Sequence, residues 1–183
     1  KSKKVEMLLI TLLVTFVSIY GAKVSYLPAR DAYPQVVAHR GASGYVPEHS
    51  LQAYELAIDL KADYIEPDLC LTKDAVFVAM HDVLLDDTTD VALHSEYADR
   101  KTTKTVEGVN MTGYFVSDFT LTEIKTLRLK QRLSGTRTQL FDGYFTIPTF
   151  DEIMNLAQTT YQKTSRMIGI YPELKKPEYH NSL

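Results

Sequence analysis

Cysteine is nearly absent from this chain: Cys70 is the only one in 183 residues. A disulfide framework is thereby excluded. Cys70 lies in the strand-like DLCLT, where a buried structural thiol is expected. A basic excess is also lacking. Twenty Lys and Arg face 23 Asp and Glu, a net charge of −3. The basic residues form no stripe, which argues against nucleic acid as a partner. There is no internal repeat and no low-complexity tract. What remains, with 45% hydrophobic, 10% aromatic and 23% charged residues, is the composition of a folded domain with a real core.

The one long apolar run, MLLITLLVTFVSIYGA, follows the basic head KSKKVE and falls a little short of the ~20 residues that span a bilayer. Residues 1–22 therefore read as a secretory signal peptide cleaved after Gly21 or Ala22. An uncleaved signal anchor is the alternative. The first reading predicts a secreted or periplasmic protein, the second one tethered to a membrane. Asn110-Met111-Thr112 is a glycosylation sequon, meaningful in a eukaryotic secretory route.

Beyond the leader the pattern is α/β. QVVAH (35–39) suits a buried parallel strand. GASGYVPEH is a loop, and SLQAYELAIDLKA a helix with Ser50 as its N-cap. DYIEPDLCLT reads as a strand, TKDA as a turn and VFVAMHD as a further strand. A polar, Thr-rich stretch from Val83 to Gly143 has LTEIKTLRLK (121–130) as its best helix. A second helix begins after Pro148 with Thr149 as cap, and RMIGIYPELK (166–175) is the last strand. This order predicts parallel strands. Between Asp68 and His81 there is no room for a crossover helix. DLCLTK is therefore expected to run back as an extended return, with TKDA as the far turn.

Several chemically able side chains fall at strand ends, where α/β barrels gather their sites. Glu66 and Asp68, two apart on a strand, project from one face. They read either as oxygen ligands for a hard cation, Ca²⁺ or Mg²⁺, or as a solvated acidic strand end. His39-Arg40-Gly41 offers a proton-moving imidazole, a forked positive charge and a glycine that permits close approach of backbone. Its bland alternative is a surface histidine beside a salt-bridging arginine. His81-Asp82 supplies a second histidine, and two histidines across an anionic site can act as base and acid in turn. Lys175 shares a face with Glu173. His94 and His180 are expected to be surface residues.

AHRGASGYVPEHS, ADYIEPDLCLTKDAVFVAMHD, TTDVA, IPTFDEI and YPELKKP, in that order, resemble the glycerophosphodiester phosphodiesterase family, in particular its periplasmic and secreted type. The spacing is part of the likeness, with 27 positions from His39 to Glu66 and 13 from Asp68 to His81. The resemblance implies a TIM barrel of the phospholipase C-like phosphodiesterase type, occupying residues 23–183 with 83–143 as an inserted subdomain. It implies hydrolysis of a small glycerophosphodiester to glycerol 3-phosphate and an alcohol, through a cyclic phosphate formed by the substrate's own glycerol hydroxyl. Matched motif by motif, His39 and His81 become the acid/base pair, with the order of their roles open. Glu66, Asp68 and Glu173 become ligands of one divalent cation, Ca²⁺ or Mg²⁺. Arg40 and Lys175 become the phosphate-binding residues. Pro47-Glu48-His49-Ser50 departs from the family's usual PENT, and His49 is expected to serve helix entry, with an effect on substrate choice as the alternative. Ala75 stands where the family has a glycine after TKD, which implies a little strain in that turn.

A complete (β/α)8 barrel typically takes ~250 residues. About four strands can be placed before Leu183, so the chain is expected to be a fragment or truncated isoform. The alternatives to a glycerophosphodiesterase are a phospholipase D-like enzyme acting on lipid headgroups and a non-catalytic secreted binding protein.

Overall fold

In the computed structural model, which describes residues 34–183, two small sheets with short parallel strands carry the site. The leader reading of residues 1–22 lies outside the described residues. Strand β1 (Val37–His39) pairs with β2 (Tyr64–Glu66), His39 opposite Glu66. Strand β2 pairs in turn with β7 (Gly169–Ile170), Tyr64 opposite Gly169. The crossover from β1 to β2 is helix α1 (Leu51–Asp59). Ser50 starts it as expected, its extended backbone turning the hydroxyl to accept from the Ala53 amide. Ala53, Tyr54, Ala57 and Ile58 form its buried stripe. At Gly169 a β-carbon would collide with the Tyr64 ring, so only glycine fits opposite that tyrosine.

The chain does not turn back after Glu66. Pro67, with no amide proton to donate, separates β2 from the next strand while its carbonyl still accepts from the Glu173 amide. Strand β3 (Asp68–Leu71) nevertheless continues in the same direction, pairing in parallel with β8 (Glu173–Leu174). Asp68 faces Glu173 in the register that sets Tyr64 against Gly169. Amides of Tyr171, Glu173 and Lys175 donate to the carbonyls of Ile65, Pro67 and Leu69 without a break. DLCLTK is thus an extension of its strand, which corrects the expected return. The return arm is β4 (Phe77–Ala79), antiparallel to β3 with Leu69 opposite Ala79. The physical reason is chain length: a tight turn can join only antiparallel strands. That turn is closed by Thr72, whose amide donates to Val76 and whose hydroxyl accepts from it. Ala75 sits at φ 61, the strain expected of a non-glycine there.

Two cores share the β3–β4 hairpin. Tyr54, Ile58, Ile65, Ala79 and Ile168 pack with Ile153 of helix α3 (Phe150–Thr164). Thr149 caps α3 reciprocally with Glu152. Cys70, Val78 and Met80 enter the other core with Phe115, Phe119, Leu127, Leu129 and Ile147. Cys70 is fully buried, as expected. Residues of the stretch 83–143 supply most of this second core, which they build together with the β3–β4 hairpin. The stretch includes the hairpin β5 (Thr102–Val106) and β6 (Val109–Gly113), with Asn110 exposed on β6. The helix expected over 121–130 is corrected to α2 (Leu121–Ile124). Beyond it Leu127, Leu129 and Gln131 are alternately buried, and the chain is tied as an extended strip, Leu129 to Phe145 and Lys130 to Thr88. Among the described residues no helix is long and apolar enough to cross a membrane.

Candidate active site

Glu66 ends β2, Asp68 begins β3 and Glu173 begins β8, so one continuous ladder presents all three carboxylates together. One oxygen from each lies within 4.8 Å of the others. Glu66 and Asp68 are buried and Glu173 is exposed. The Arg40 amide donates to both the backbone carbonyl and Oε2 of Glu66, at 3.0 and 2.9 Å. It is aimed there by successive left-handed residues, Arg40 at φ 60 and Gly41 at φ 75.

The two oxygens of Asp68 have different surroundings. Oδ2 meets His49 Nε2 at 3.0 Å and Arg40 Nε at 3.3 Å. Oδ1 is buried and without a hydrogen bond, the Lys175 ammonium standing 3.5 Å away. Burial pushes the Glu66 carboxyl up, and the negative charges of Asp68 and Glu173 add to this beyond what the Arg40 amide offsets, to about 7. Burial also works to raise Asp68, but His49, Lys175 and His81 outweigh it and hold this carboxyl at about 2. An all-oxygen donor set that resists full ionisation, with a buried oxygen left unbonded, fits a hard divalent cation.

Lys175 Nζ is 2.7 Å from Glu173 Oε1, so the pair shares a face as the sequence predicts. Arg40 Nη1 reaches Glu48 at 3.2 Å. His39 lies at the exposed end of β1, opposite Glu66. His81 follows β4 and reaches the level of Asp68, where the Met80 amide donates to the Asp68 carbonyl. It arrives at the end of an antiparallel strand rather than a parallel one. His81 Nδ1 contacts Asp82 Oδ1 at 2.8 Å.

Sequence reading missed three members of this network. His49, assigned to helix entry, leaves capping to Ser50 and sits at φ 64 with its ring buried between the Tyr54 hydroxyl (2.7 Å) and Asp68. Its place in PEHS, directly after the HRG loop, was the available signal. Arg132 reaches Glu48 and Asp82 from 84 and 50 positions away, and no local pattern announces it. Glu48 receives two arginines that only the fold brings together. His94, paired with Asp90 and Glu96, stands apart from the site. His180 departs from the expected surface position: both ring nitrogens are buried without a hydrogen-bond partner among the described residues.

Parallel strands joined through helices, with carboxylates and cations converging on one stretch of the ladder, fit the α/β-barrel class, with a site suited to a divalent cation and an anionic group. More particularly, the chain belongs to the glycerophosphoryl diester phosphodiesterase family, whose model matches residues 39–183. It is 49% identical over 154 residues to glycerophosphodiester phosphodiesterase GDPD6 of Arabidopsis thaliana, covering 84% of this chain and 40% of the relative. With the glycerophosphodiester phosphodiesterase of Haemophilus influenzae it shares 38% identity over 156 residues, 80% of this chain and 40% of the relative. The chain thus spans well under half the length of these relatives. Among solved structures, an Oleispira antarctica phosphodiesterase in complex with the product sn-glycerol-3-phosphate superposes with a TM-score of 0.54 at 27% identity, over 78% of this chain and 44% of that one. A glycerophosphodiester phosphodiesterase from Agrobacterium tumefaciens gives 0.51 at 27% identity, over 78% and 47%. The architecture is that of the TIM-barrel phosphodiesterases, matched over part of their length.

Proposed function

We propose that this chain carries the catalytic residues of a glycerophosphodiester phosphodiesterase, which hydrolyses small glycerophosphodiesters to glycerol 3-phosphate and an alcohol with one divalent cation, Ca²⁺ or Mg²⁺. The observation that carries this reading is the meeting of Glu66, Asp68 and Glu173 within 4.8 Å, with Arg40 and Lys175 on the same carboxylates. The family membership and the named activities of the relatives support it.

Glu66, Asp68 and Glu173 would hold the cation, which supplies positive charge to polarise a phosphoryl oxygen. Arg40 and Lys175 would bind the remaining phosphoryl oxygens and stabilise the charge that the transition state spreads over them. Lys175 is engaged by Glu173 and Asp68, so satisfying those carboxylates otherwise releases its ammonium for the substrate. Of His39 and His81, one would take the proton from the substrate's attacking hydroxyl and the other give one to the departing alcohol oxygen; water would then open the cyclic phosphate to glycerol 3-phosphate with the two roles exchanged. The leader-like composition of residues 1–22 supports action outside the cytoplasm.

The test is release of glycerol 3-phosphate from glycerophosphocholine with Ca²⁺, with Mg²⁺ and with chelator, using the wild type, His39→Ala and Glu173→Ala. Chelator is expected to stop turnover, and the histidine variant to lose about 10²–10⁴-fold. Activity indifferent to chelator and to both substitutions would refute the mechanism.

Cation binding is also expected to depend on pH. The Glu66 carboxyl is raised to about 7, so below that pH it is protonated and must release its proton to bind a cation. Apparent affinity should then fall about tenfold per pH unit below 7 and level off above it. Calorimetric titration with Mg²⁺ between pH 5.5 and 8.5, in buffers of different ionisation enthalpy, reads both the affinity and the proton. An affinity constant across that range would contradict the expectation.

A further inference from the structure

We infer that Arg132 is a positioning residue for the proposed reaction, holding His81 and Arg40 in one frame from outside the parallel sheet. It sits at the end of the extended strip whose Leu127, Leu129 and Gln131 are buried. Gln131 fixes that strip to the site, its amide donating to Asp142 Oδ1 at 2.8 Å and its side chain to the Ser43 carbonyl at 3.1 Å. Ser43 belongs to the same loop as Arg40, so Arg132 is anchored before its own side chain is counted.

The guanidinium then joins two carboxylates from different loops. Nε and Nη2 bond the two oxygens of Glu48 at 3.3 and 2.9 Å, and Nη1 bonds Asp82 Oδ2 at 2.5 Å. Each carboxylate uses its contacts on a site residue as well. Glu48 Oε1 also takes Arg40 Nη1 at 3.2 Å, and Asp82 Oδ1 takes His81 Nδ1 at 2.8 Å. An ionised carboxylate only accepts, so the His81 proton lies on Nδ1 and Nε2 is left for chemistry. Burial works to raise Asp82, but Arg132 and His81 outweigh it and keep it ionised. One planar fork can grip Glu48 with two donors and still reach Asp82, whereas a lysine ammonium is a single point.

This role rests on the proposed function, with His81 as the proton-transferring group. Arg132→Met, Arg132→Lys and Asp82→Asn, made in the intact protein, test it by kcat and KM on glycerophosphocholine and by nitrogen NMR of the His81 tautomer. Arg132→Met should lower kcat about 10–100-fold with a smaller change in KM, and turn His81 from the Nδ1–H form to a mixture. Arg132→Lys should recover part of kcat. Arg132→Met combined with Asp82→Asn should lose little more than the worse single variant, since both act through one contact. Mg²⁺ affinity, set by carboxylates Arg132 does not touch, should stay within about threefold in Arg132→Met, a small shift beside the loss from an outer-partner change. A kcat within twofold of wild type, or a rise confined to KM, would overturn the proposal, as would an unaltered His81 tautomer. If Arg132→Met does not fold, the same readings on Arg132→Lys and Asp82→Asn decide. A wild type that hydrolyses no glycerophosphodiester would end the functional reading alone, because the tautomer measurement still reports on Arg132.

Discussion

Asp68→Asn is expected to remove cation binding and, with it, turnover. Asp68 is fully buried and stands where Arg40, His49 and Lys175 converge. Asparagine keeps the shape and removes the charge. Its amide also replaces one accepting oxygen by an NH₂ donor. If that NH₂ takes the Oδ2 place, it faces the Arg40 guanidinium. If it takes the other, it faces the Lys175 ammonium and the position of the cation. Neither orientation restores an anionic ligand. Loss of an outer partner costs about 10–100-fold in metal affinity, and loss of a ligand should exceed that. Calorimetric titration with Ca²⁺ and Mg²⁺ measures the affinity, and circular dichroism shows whether the variant is folded. A folded Asp68→Asn protein that binds either ion as tightly as wild type would remove Asp68 from the cation site.

Gly41→Ala is expected to be the most damaging single methyl near the site. Gly41 has φ +75, and an added β-carbon would lie 2.7 Å from the Ala53 carbonyl carbon and 2.8 Å from its oxygen. Left-handed backbone costs an alanine about 1–2 kcal/mol, and overpacking adds about 1–3 kcal/mol. The obstacle is helix backbone, which cannot step aside like a flexible side chain. The Ala53 carbonyl also accepts from the Ala42 amide at 2.8 Å, so moving it breaks a bond that holds the loop to α1. A loss of about 2–5 kcal/mol should appear as a lower urea midpoint with an unchanged slope. A midpoint equal to wild type would show that the loop absorbs the methyl group. The loop also aims the Arg40 amide at Glu66, so the cation site should weaken in the fraction that remains folded.

The parts of the site legible in the sequence were those governed by local pattern. Period two on a strand places Glu66 beside Asp68 and Glu173 beside Lys175, and ordered motifs tie the strands together. Ser50 and Thr149 were readable because an N-cap is a contact between near neighbours. The direction of DLCLTK was not. An extended segment after a proline looks the same whether it continues or returns, and only its pairing with residues 173–174 decides. LTEIKTLRLK failed for a different reason. Its start is a true capping box, Thr120 just before it with Glu123. The same letters beyond Ile124 also satisfy an alternating pattern through Leu127 and Leu129, and the core that buries those leucines selected it. Arg132 and His49 act through partners that local periodicity does not identify.

The fit of Gly169 beneath the Tyr64 ring has a consequence for fidelity of assembly. Parallel strands slide past one another in single-residue steps, and each step turns every side chain to the opposite face. A slip of β7 and β8 by one place would put a side-chain-bearing residue against Tyr64 and rotate Glu173 away from Asp68. The bare glycine is therefore an index mark, admitting one alignment of the two edges. Distances among the carboxylates are gauged by that alignment, set by a residue that is not itself one of them.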